Sequence, residues 1–186
     1  MIIGAYAGGM IGVNRTTYDI DIIVDLREEH IQGLTDEFPP PRYYADPEQM
    51  RSSISMGIMF NIIDSSRGEK ADLVPITMEP RYQTAFQRRI RRKISPTNMD
   101  SFQVWCARPE DIIVGKLMAW AEGRSRKHET DIYDIMVFHY LDMDPQVSKD
   151  FDERYIDRQA YALGVDVAEF WNAVCKAARN EAAQND

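Results

Sequence analysis

The stretch RTTYDIDIIVDL, from Arg15 to Leu26, decides the fold class. In its middle every second residue is isoleucine or valine, and such alternation predicts a β-strand with one apolar face. Asp19 and Asp21 both project from the opposite face. A strand suited to a buried sheet therefore carries two carboxylates on one side, which calls for a structural or a chemical reason.

Short strand-like and helix-like segments alternate around this strand, which is typical of an α+β or mixed α/β fold. The start MIIG is short and apolar, and GIMFNIID and KADLVPI predict two strands, joined by a turn at SSRGE. Helices are expected at AYAGGMIG, EEHIQGLTDEF, DPEQMRSSISM and RYQTAFQRRIRRKI. The third begins well, because Asp46 can cap it and Pro47 suits its first turn.

The pattern changes at about Pro96. FQVWCA predicts one last strand. After it the spacing of apolar residues predicts four helices, which begin at residues 108, 127, 152 and 166. We expect a small mixed β-sheet flanked by helices over residues 1–95, and a mainly helical region packed on it over residues 96–186. The aromatic residues expected to fill the core of the helical region are Trp105, Trp120, Phe138, Tyr140, Phe170 and Trp171.

Composition excludes several classes of protein. The chain is 44% hydrophobic and 28% charged, as in ordinary folded proteins, and no run approaches the ~20 apolar residues that span a bilayer. Its start lacks a basic leader, so we expect a cytoplasmic protein without membrane contact. A net charge of -8 argues against broad binding to nucleic acid, which needs a basic surface. Cys106 and Cys175 lack metal-ligand spacing and are expected to be reduced, partly buried thiols.

Asp72, in KADLVPI, adds a third carboxylate on a second apolar strand. Residues two apart on a strand lie about 6.5–7 Å apart and point the same way, so Asp19 and Asp21 can bind one cation or hold two close together. Three carboxylates on neighbouring strands would hold a pair of Mg²⁺ ions, and such centres catalyse in-line displacement at phosphorus. The alternative, which the dipeptide alone favours, is an edge strand with a solvated face. An EF-hand is a poor alternative, since apolar residues stand where its oxygen ligands and glycine belong.

One basic run interrupts this acidic chain, and it lies within FQRRIRRKI. Its members are Arg88, Arg89, Arg91, Arg92 and Lys93. On the helix expected there, such a run is more often a solvated face than a binding patch. If functional, it would suit a phosphate-rich acceptor such as an RNA end. The three histidines show no ligand or triad spacing and are assigned no role.

The segment GAYAGGMIGVNRTTYDID resembles the signature of the polymerase-beta-type nucleotidyltransferase superfamily. In that signature a glycine with a small neighbour, a short helix and a second glycine precede R-x-T-x-D-x-D. The matching residues are Gly4, Ala5, Gly12, Arg15, Thr17, Asp19 and Asp21. The resemblance implies metal binding by Asp19, Asp21 and Asp72, and nucleotide binding by Gly4, Ala5, Arg15 and Thr17. Ala5 replaces the serine or glycine of many active members, which leaves backbone amides of the following helix to hold a phosphate.

The segment RPEDIIVGKLMAWAEGRSRKHETDIYDIM resembles the helical part of the AbiEii-like nucleotidyltransferases, with an E-D-h-h-x-x-K-L run and a later D-h-x-D. The match implies that Lys116 meets the nucleotide phosphates and that Asp131 is an active-site aspartate beside it. Asp134, three residues on and on the same helix face, would be a supporting residue. Without the match, Lys116 is equally well a snorkelling lysine at the edge of the core. Asp131 is then a surface aspartate in a local network with Lys127.

These resemblances imply a nucleotidyltransferase that moves a nucleoside monophosphate from an NTP such as ATP to an acceptor hydroxyl, with two Mg²⁺ or Mn²⁺ ions. They suggest tRNA, a protein or a small molecule as acceptor and, for a toxin of a toxin–antitoxin system, an antitoxin partner. An alternative from another class is a catalytically inactive protein of the same fold that binds nucleotide or a protein partner. A third is a structural α+β protein with an acidic face.

Overall fold

The strand that carries the two aspartates forms as predicted and lies in the middle of a mixed sheet. A computed structural model describes residues 1–95 and 99–185 of the chain. The strands in them are β1 (Ile2–Ile3), β2 (Asp19–Val24), β3 (Tyr43–Tyr44), β4 (Phe60–Asp64), β5 (Glu69–Pro75), β6 (Ile90–Ile94) and β7 (Phe102–Cys106). They form one sheet in the order β3-β4-β5-β2-β1-β7-β6.

Helices flank the strands along the first half of the chain and dominate the second half, so the predicted α+β class is confirmed. The helices are α1 (Gly4–Gly9), α2 (Glu28–Glu37), α3 (Pro47–Met56), α4 (Pro80–Gln87), α5 (Pro109–Gly123), α6 (Arg126–Tyr140), α7 (Pro145–Ser148), α8 (Glu153–Leu163) and α9 (Val165–Asn185). None of these helices is long and apolar enough to cross a lipid bilayer.

The chain divides into two compact units. The sheet unit comprises Met1–Tyr6 and Thr17–Ala107, and the helical unit comprises Ala7–Thr16 and Arg108–Asp186. The boundary predicted at Pro96 lies outside the described residues and stays a prediction.

The sheet unit packs one face of its sheet against α2 and α3. Ile31 of α2 and Met50 of α3 are buried against Phe60 and Leu73. Leu73 lies opposite Phe60 on β4 and opposite Ile22 on β2, so these three side chains share the apolar face. Because neighbouring residues of a strand point to opposite sides, the residues beside them project from the other face.

The turn between β4 and β5 fixes the register of this hairpin, which was predicted from SSRGE. Gly68 has φ +67° and donates its amide N–H to the Asp64 carbonyl oxygen at 2.8 Å. The Asp64 carboxylate accepts hydrogen bonds from Arg42 Nη2 at 2.9 Å and from the Ser66 amide at 2.9 Å. The hydrogen bonds from Arg42 and Ser66 lower the pKa of Asp64 to about 2. The turn is therefore held by its own residues and by Arg42, which precedes β3.

Two predictions about the end of the sheet unit are wrong. The segment expected as one helix, RYQTAFQRRIRRKI, divides into α4, which ends at Gln87, and β6, which begins at Ile90. Pairing with β7 supplies a ladder of backbone hydrogen bonds there, and this tertiary partner outweighs local helical preference. Trp105, expected in the helical core, lies on β7 in the sheet unit and is 41% exposed.

The helical unit contains the four long helices that the sequence predicts, together with the short α7. Helices α5, α6, α8 and α9 pack on one another around a shared core. Trp171 is fully buried in it, and Trp120 stacks on Phe170 with ring centroids 3.9 Å apart. These three aromatic residues lie in the helical unit, as expected.

Candidate active site

Three carboxylates lie on the sheet face that points away from α2 and α3. Strands β2 and β5 are parallel neighbours, and Asp21 lies directly opposite Asp72. Asp19 precedes Asp21 by two residues and therefore projects from the same face. Adjacent strands are about 4.8 Å apart, so the pairing brings the carboxylates of two strands side by side. We call this side of the sheet the carboxylate face.

Two further polar residues complete the cluster, and sequence reasoning missed both. Asn61 lies opposite Asp72 on β4, and its Nδ2 donates to Asp72 Oδ1 at 2.6 Å. Lys70 Nζ lies 3.0 Å from Asp72 Oδ2 and 3.9 Å from Asp19 Oδ2. Lys70 shares the alternation of Asp72 in KADLVPI, which is the signal that could have placed it on the same face.

Lys70 offsets part of the negative charge of the cluster. The hydrogen bond to Asp72 is the largest cause that raises the pKa of Lys70. The charges of Asp72 and Asp19 add to it, and together they outweigh burial, which lowers this pKa. The Asp72 side chain is only 10% exposed, where a carboxylate without partners would be costly. The cluster is therefore built around an ammonium group that contacts two of its three carboxylates.

The donor atoms of this cluster suit a hard divalent cation. Carboxylate and amide oxygens are the ligands that Mg²⁺ prefers in proteins, and Asp19 is exposed. Within residues 1–95 and 99–185, no group of three or more Asp, Glu, His or Cys side chains is arranged to hold a metal ion. A cation bound by Asp72 would have to compete with Lys70 for Oδ2. The metal roles of the three aspartates stay predictions.

Gly4 begins α1 beside the carboxylate face. The residue before it, Ile3, lies opposite Asp21 in the β1–β2 pair. Gly4 has φ +67°, and a Cβ added to it would overlap the Asp21 carboxylate. Only glycine satisfies both constraints, so the first glycine of the motif makes room for Asp21. Ala5 follows it and is buried.

Thr17 supports the start of β2 from within the sheet unit. Its Oγ1 donates a hydrogen bond to the Asp19 carbonyl oxygen at 3.2 Å. The threonine of the motif thus has a local structural task next to the first aspartate. Nucleotide binding by Gly4, Ala5 and Thr17 stays a prediction.

A second cluster lies in the helical unit, where Arg15, Lys116 and Asp131 form an ion triad. Arg15 Nε and Nη2 contact the two carboxylate oxygens of Asp131 at 2.8 Å and 3.0 Å. Lys116 Nζ, on α5, lies 2.5 Å from Asp131 Oδ2, on α6. Asp131 is 1% exposed and Lys116 is 6% exposed. A snorkelling lysine and a surface aspartate are therefore both the wrong interpretation.

The triad sets two cations against one carboxylate and so has a net positive charge. Burial opposes ionisation of Asp131, but hydrogen bonds from Arg15 and Lys116 outweigh it and hold the pKa of Asp131 below its usual range. The two parallel N–H···O contacts also fix the plane of the Arg15 guanidinium. Such an arrangement can present fixed positive charge to an anion such as a phosphate.

Neighbouring contacts hold the segment that carries Arg15 to helix α6. The Asn14 amide donates to Asp134 Oδ2 at 3.4 Å. Gly12 has φ +105°, and a Cβ added there would lie 2.5 Å from Phe138 Cβ. Burial is the largest cause that raises the pKa of Asp134, and the charge of Asp131 adds to it. The hydrogen bond from the Asn14 amide lowers this pKa but does not outweigh them. Asp134 thus holds the loop through Asn14, and its supporting role in the nucleotide site stays a prediction.

The comparison with protein families bears on both clusters. Residues 10–163 match the family described as nucleotidyl transferase AbiEii toxin, type IV TA system. The chain belongs to the AbiEii family. The match includes Asp19, Asp21 and Asp72 of the carboxylate face and the whole ion triad. No curated protein matches the chain.

AbiEii membership confirms the resemblance stated from the sequence. AbiEii proteins are nucleotidyl transferase toxins of type IV toxin–antitoxin systems, which makes the chain a transferase of this kind. The matched region begins at residue 10, after Gly4 and Ala5. The interpretation of these two residues therefore depends on their local geometry and not on the family match.

Proposed function

We propose that this AbiEii protein transfers a nucleoside monophosphate from an NTP, such as ATP, to an acceptor hydroxyl and releases pyrophosphate. The observation that carries the proposal is the register of β2 and β5, which sets Asp21 opposite Asp72 with Asp19 on the same face. In the reaction the acceptor oxygen bonds to the α-phosphorus. The bond from that phosphorus to the oxygen leading to the β-phosphate breaks, and pyrophosphate leaves with its electron pair.

The carboxylate face would supply the metal ligands. Asp19 and Asp21 would bind both Mg²⁺ or Mn²⁺ ions, and Asp72 would complete the site of one. When bound, such ions offset the charge of the phosphates during in-line displacement. Asn61 and Lys70 hold the Asp72 carboxylate in place. In the proposed reaction Asp72 also accepts the proton of the acceptor hydroxyl.

The ion triad would neutralise the nucleotide. Lys116 interacts with the phosphates, Asp131 orients Lys116, and the bidentate contact from Arg15 keeps Asp131 in place. Fixed cations of this kind stabilise phosphate charge without reorganising during the reaction. Gly4, Ala5, Arg15 and Thr17 contribute to nucleotide binding in the same proposal.

Two partners follow from the proposed reaction and the family. The acceptor is a hydroxyl of tRNA or of a protein, and family membership alone does not choose between them. The assignment to type IV toxin–antitoxin systems supports an antitoxin that opposes this activity in the cell.

A transfer assay tests the proposal. The protein is incubated with each α-labelled NTP, Mg²⁺ or Mn²⁺, and either total tRNA or lysate protein. We expect label in one acceptor fraction, dependent on the divalent ion. Asp19→Asn/Asp21→Asn should lower transfer at least about a hundredfold, because charge stabilisation by bound ions is worth several kcal/mol.

Asp25→Asn/Asp36→Asn is the matched control, since it removes the same charge from two exposed positions of the sheet unit. This variant should retain transfer. Transfer that survives substitution of Asp19 and Asp21 would place the chemistry elsewhere in the chain.

A second candidate is an inactive AbiEii protein that binds nucleotide or a protein partner. The contacts of Lys70 with Asp72 and Asp19 favour it, because an ammonium group already contacts two of the three proposed metal ligands. In that case an NTP would raise the melting temperature of the protein while no acceptor gained label.

A further inference from the structure

The β6–β7 hairpin carries cations around an exposed tryptophan. Arg91 lies opposite Trp105 and Lys93 lies opposite Gln103 in the antiparallel pair. The guanidinium carbons of Arg89 and Arg91 lie 4.7 Å and 4.8 Å from the centroid of the Trp105 ring. We call Arg89, Arg91, Lys93 and Trp105 the basic–aromatic face.

This basic–aromatic face lies on the same side of the sheet as the carboxylates. Cys106 is opposite Ile2, and Ile2 is opposite Ile22, so these three side chains point towards the apolar side. Trp105 precedes Cys106 in its strand, and Asp21 precedes Ile22, so both side chains point to the other side of the sheet. Two strand spacings separate β7 from β2, or about 10 Å across the sheet.

Protection of a sheet edge explains only part of this arrangement. In the described residues β6 ends the sheet, and charged side chains on an edge strand discourage aggregation. That accounts for Arg91 and Lys93. An exposed tryptophan works against such protection, and Arg89 precedes the strand yet still stacks on Trp105. The combination of a large aromatic ring with stacked guanidinium groups indicates a ligand.

We propose that the basic–aromatic face binds single-stranded RNA, which would serve as the acceptor strand of the proposed transfer. Unpaired bases stack on aromatic rings and on guanidinium planes, while arginine and lysine pair with the phosphates. Residues 89–93 span at most about 14 Å, which suits a few nucleotides rather than the footprint of a duplex. An RNA end also presents two neighbouring hydroxyls that can accept a nucleotide. This step rests on the proposed function, since only a transferase needs an acceptor.

Binding is measured without NTP and with a chelator, so that chemistry plays no part. A short fluorescein-labelled RNA reports affinity by anisotropy, and an unlabelled one reports contact by quenching tryptophan fluorescence. Trp105 is the exposed tryptophan, whereas Trp120 and Trp171 are buried, so quenching should come from the basic–aromatic face. Trp105→Leu should abolish quenching and weaken binding at least about fivefold, the lower end of what one stacked base contributes.

Arg91→Gln/Lys93→Gln tests the cations. Two lost phosphate contacts should lower the slope of log affinity against log salt by about 1.4 and weaken binding in low salt. Arg154→Gln/Lys176→Gln makes the same charge change at exposed positions of α8 and α9 and should leave affinity unchanged. Far-ultraviolet circular dichroism checks that each variant is folded.

Several outcomes would overturn the proposal. They are equal losses in the two double variants, absence of quenching, and equal affinity for a duplex. RNA binding without any label transfer would sink the proposed function and leave the RNA surface standing, whereas transfer to protein without RNA binding would do the reverse.

Discussion

Lys70 and Asp72, two residues apart on β5, form an ion pair of 3.0 Å within the carboxylate cluster. The same ammonium lies 3.9 Å from Asp19. A site rich in carboxylates therefore contains its own cation, which limits repulsion between the acidic groups when no metal is bound. A divalent ion that binds Asp72 must therefore interact with its carboxylate more favourably than Lys70 does.

Lys70→Met tests this competition. Without the ammonium, the carboxylates repel one another, and we expect the free energy of unfolding in a chelator to fall by about 1 kcal/mol, or about 2–4 °C in melting temperature. Mg²⁺ should then raise the melting temperature more in the variant than in the wild type, because it no longer competes with Lys70. Lys176→Met, at an exposed position of α9, is the control. Equal responses to Mg²⁺ in wild type and Lys70→Met would show that no competition exists.

Gly4→Ala should damage the site without removing a functional group. The methyl group would overlap the Asp21 carboxylate, and φ +67° is unfavourable for alanine by roughly 1–2 kcal/mol. Gly9→Ala is the matched control in the same helix, since no atom lies within 4 Å of its added Cβ. That change should stabilise by up to about 1 kcal/mol. Thermal unfolding and the transfer assay compare the two, and similar behaviour would contradict the steric role of Gly4.

Asp131→Asn should be among the most destabilising single changes in the helical unit. It leaves Lys116 and the Arg15 guanidinium facing a neutral amide in a buried position, and removal of one partner from a buried ion pair costs about 3–5 kcal/mol. Asp134→Asn, one turn along the same helix, neutralises the acceptor of a single 3.4 Å hydrogen bond but keeps an amide oxygen that can still accept it, and should cost less than about 1 kcal/mol. Urea denaturation measures both. A loss at Asp131 no greater than at Asp134 would mean that the triad is not structural.

His139 should make the protein less stable in mild acid. Burial lowers the pKa of His139, and the nearby acids Glu153, Asp142 and Glu110 do not outweigh it. Its ring stacks on Phe151 with centroids 4.0 Å apart, and among the described residues Nδ1 has no hydrogen-bond partner. Protonation therefore requires a buried charge.

The sign of the effect follows from the lowered pKa. Below about pH 6.5 the unfolded chain binds a proton that the folded chain does not, so stability is complete above that pH. It falls as the pH drops towards the folded pKa, by at most about 1.4 kcal/mol per pH unit. His139→Gln should flatten this part of the curve of unfolding free energy against pH. An unchanged slope would rule His139 out as the cause.

The sequence was informative about the carboxylates because strand geometry is local. Alternation in YDIDIIVDL places Asp19 and Asp21 on one face. Alternation in KADLVPI places the side chains of Asp72 and Leu73 on different faces of their strand. The hairpin was also predictable from its turn. The parallel pairing of β2 with β5 was not, because that register depends on a partner strand far along the chain.

Long-range side-chain contacts were beyond sequence reasoning. Arg15 pairs with Asp131 across 116 positions, a contact that no local pattern in the sequence indicates. Arg91 and Trp105 come together only because the basic run forms a strand instead of a helix. In each case a tertiary partner outweighed the local preference.

The turn that ends at Gly68 also bears on the proposed chemistry, because it sets the register of β4 against β5. A hairpin closed one residue out of register would turn one of its two strands over, and Asp72 would lose Asn61 as its cross-strand partner. Such a chain would keep most of its backbone hydrogen bonds, yet it would lack the carboxylate cluster that the proposed mechanism needs. In that mechanism the environment of Asp72 depends on one four-residue connection that closes during folding.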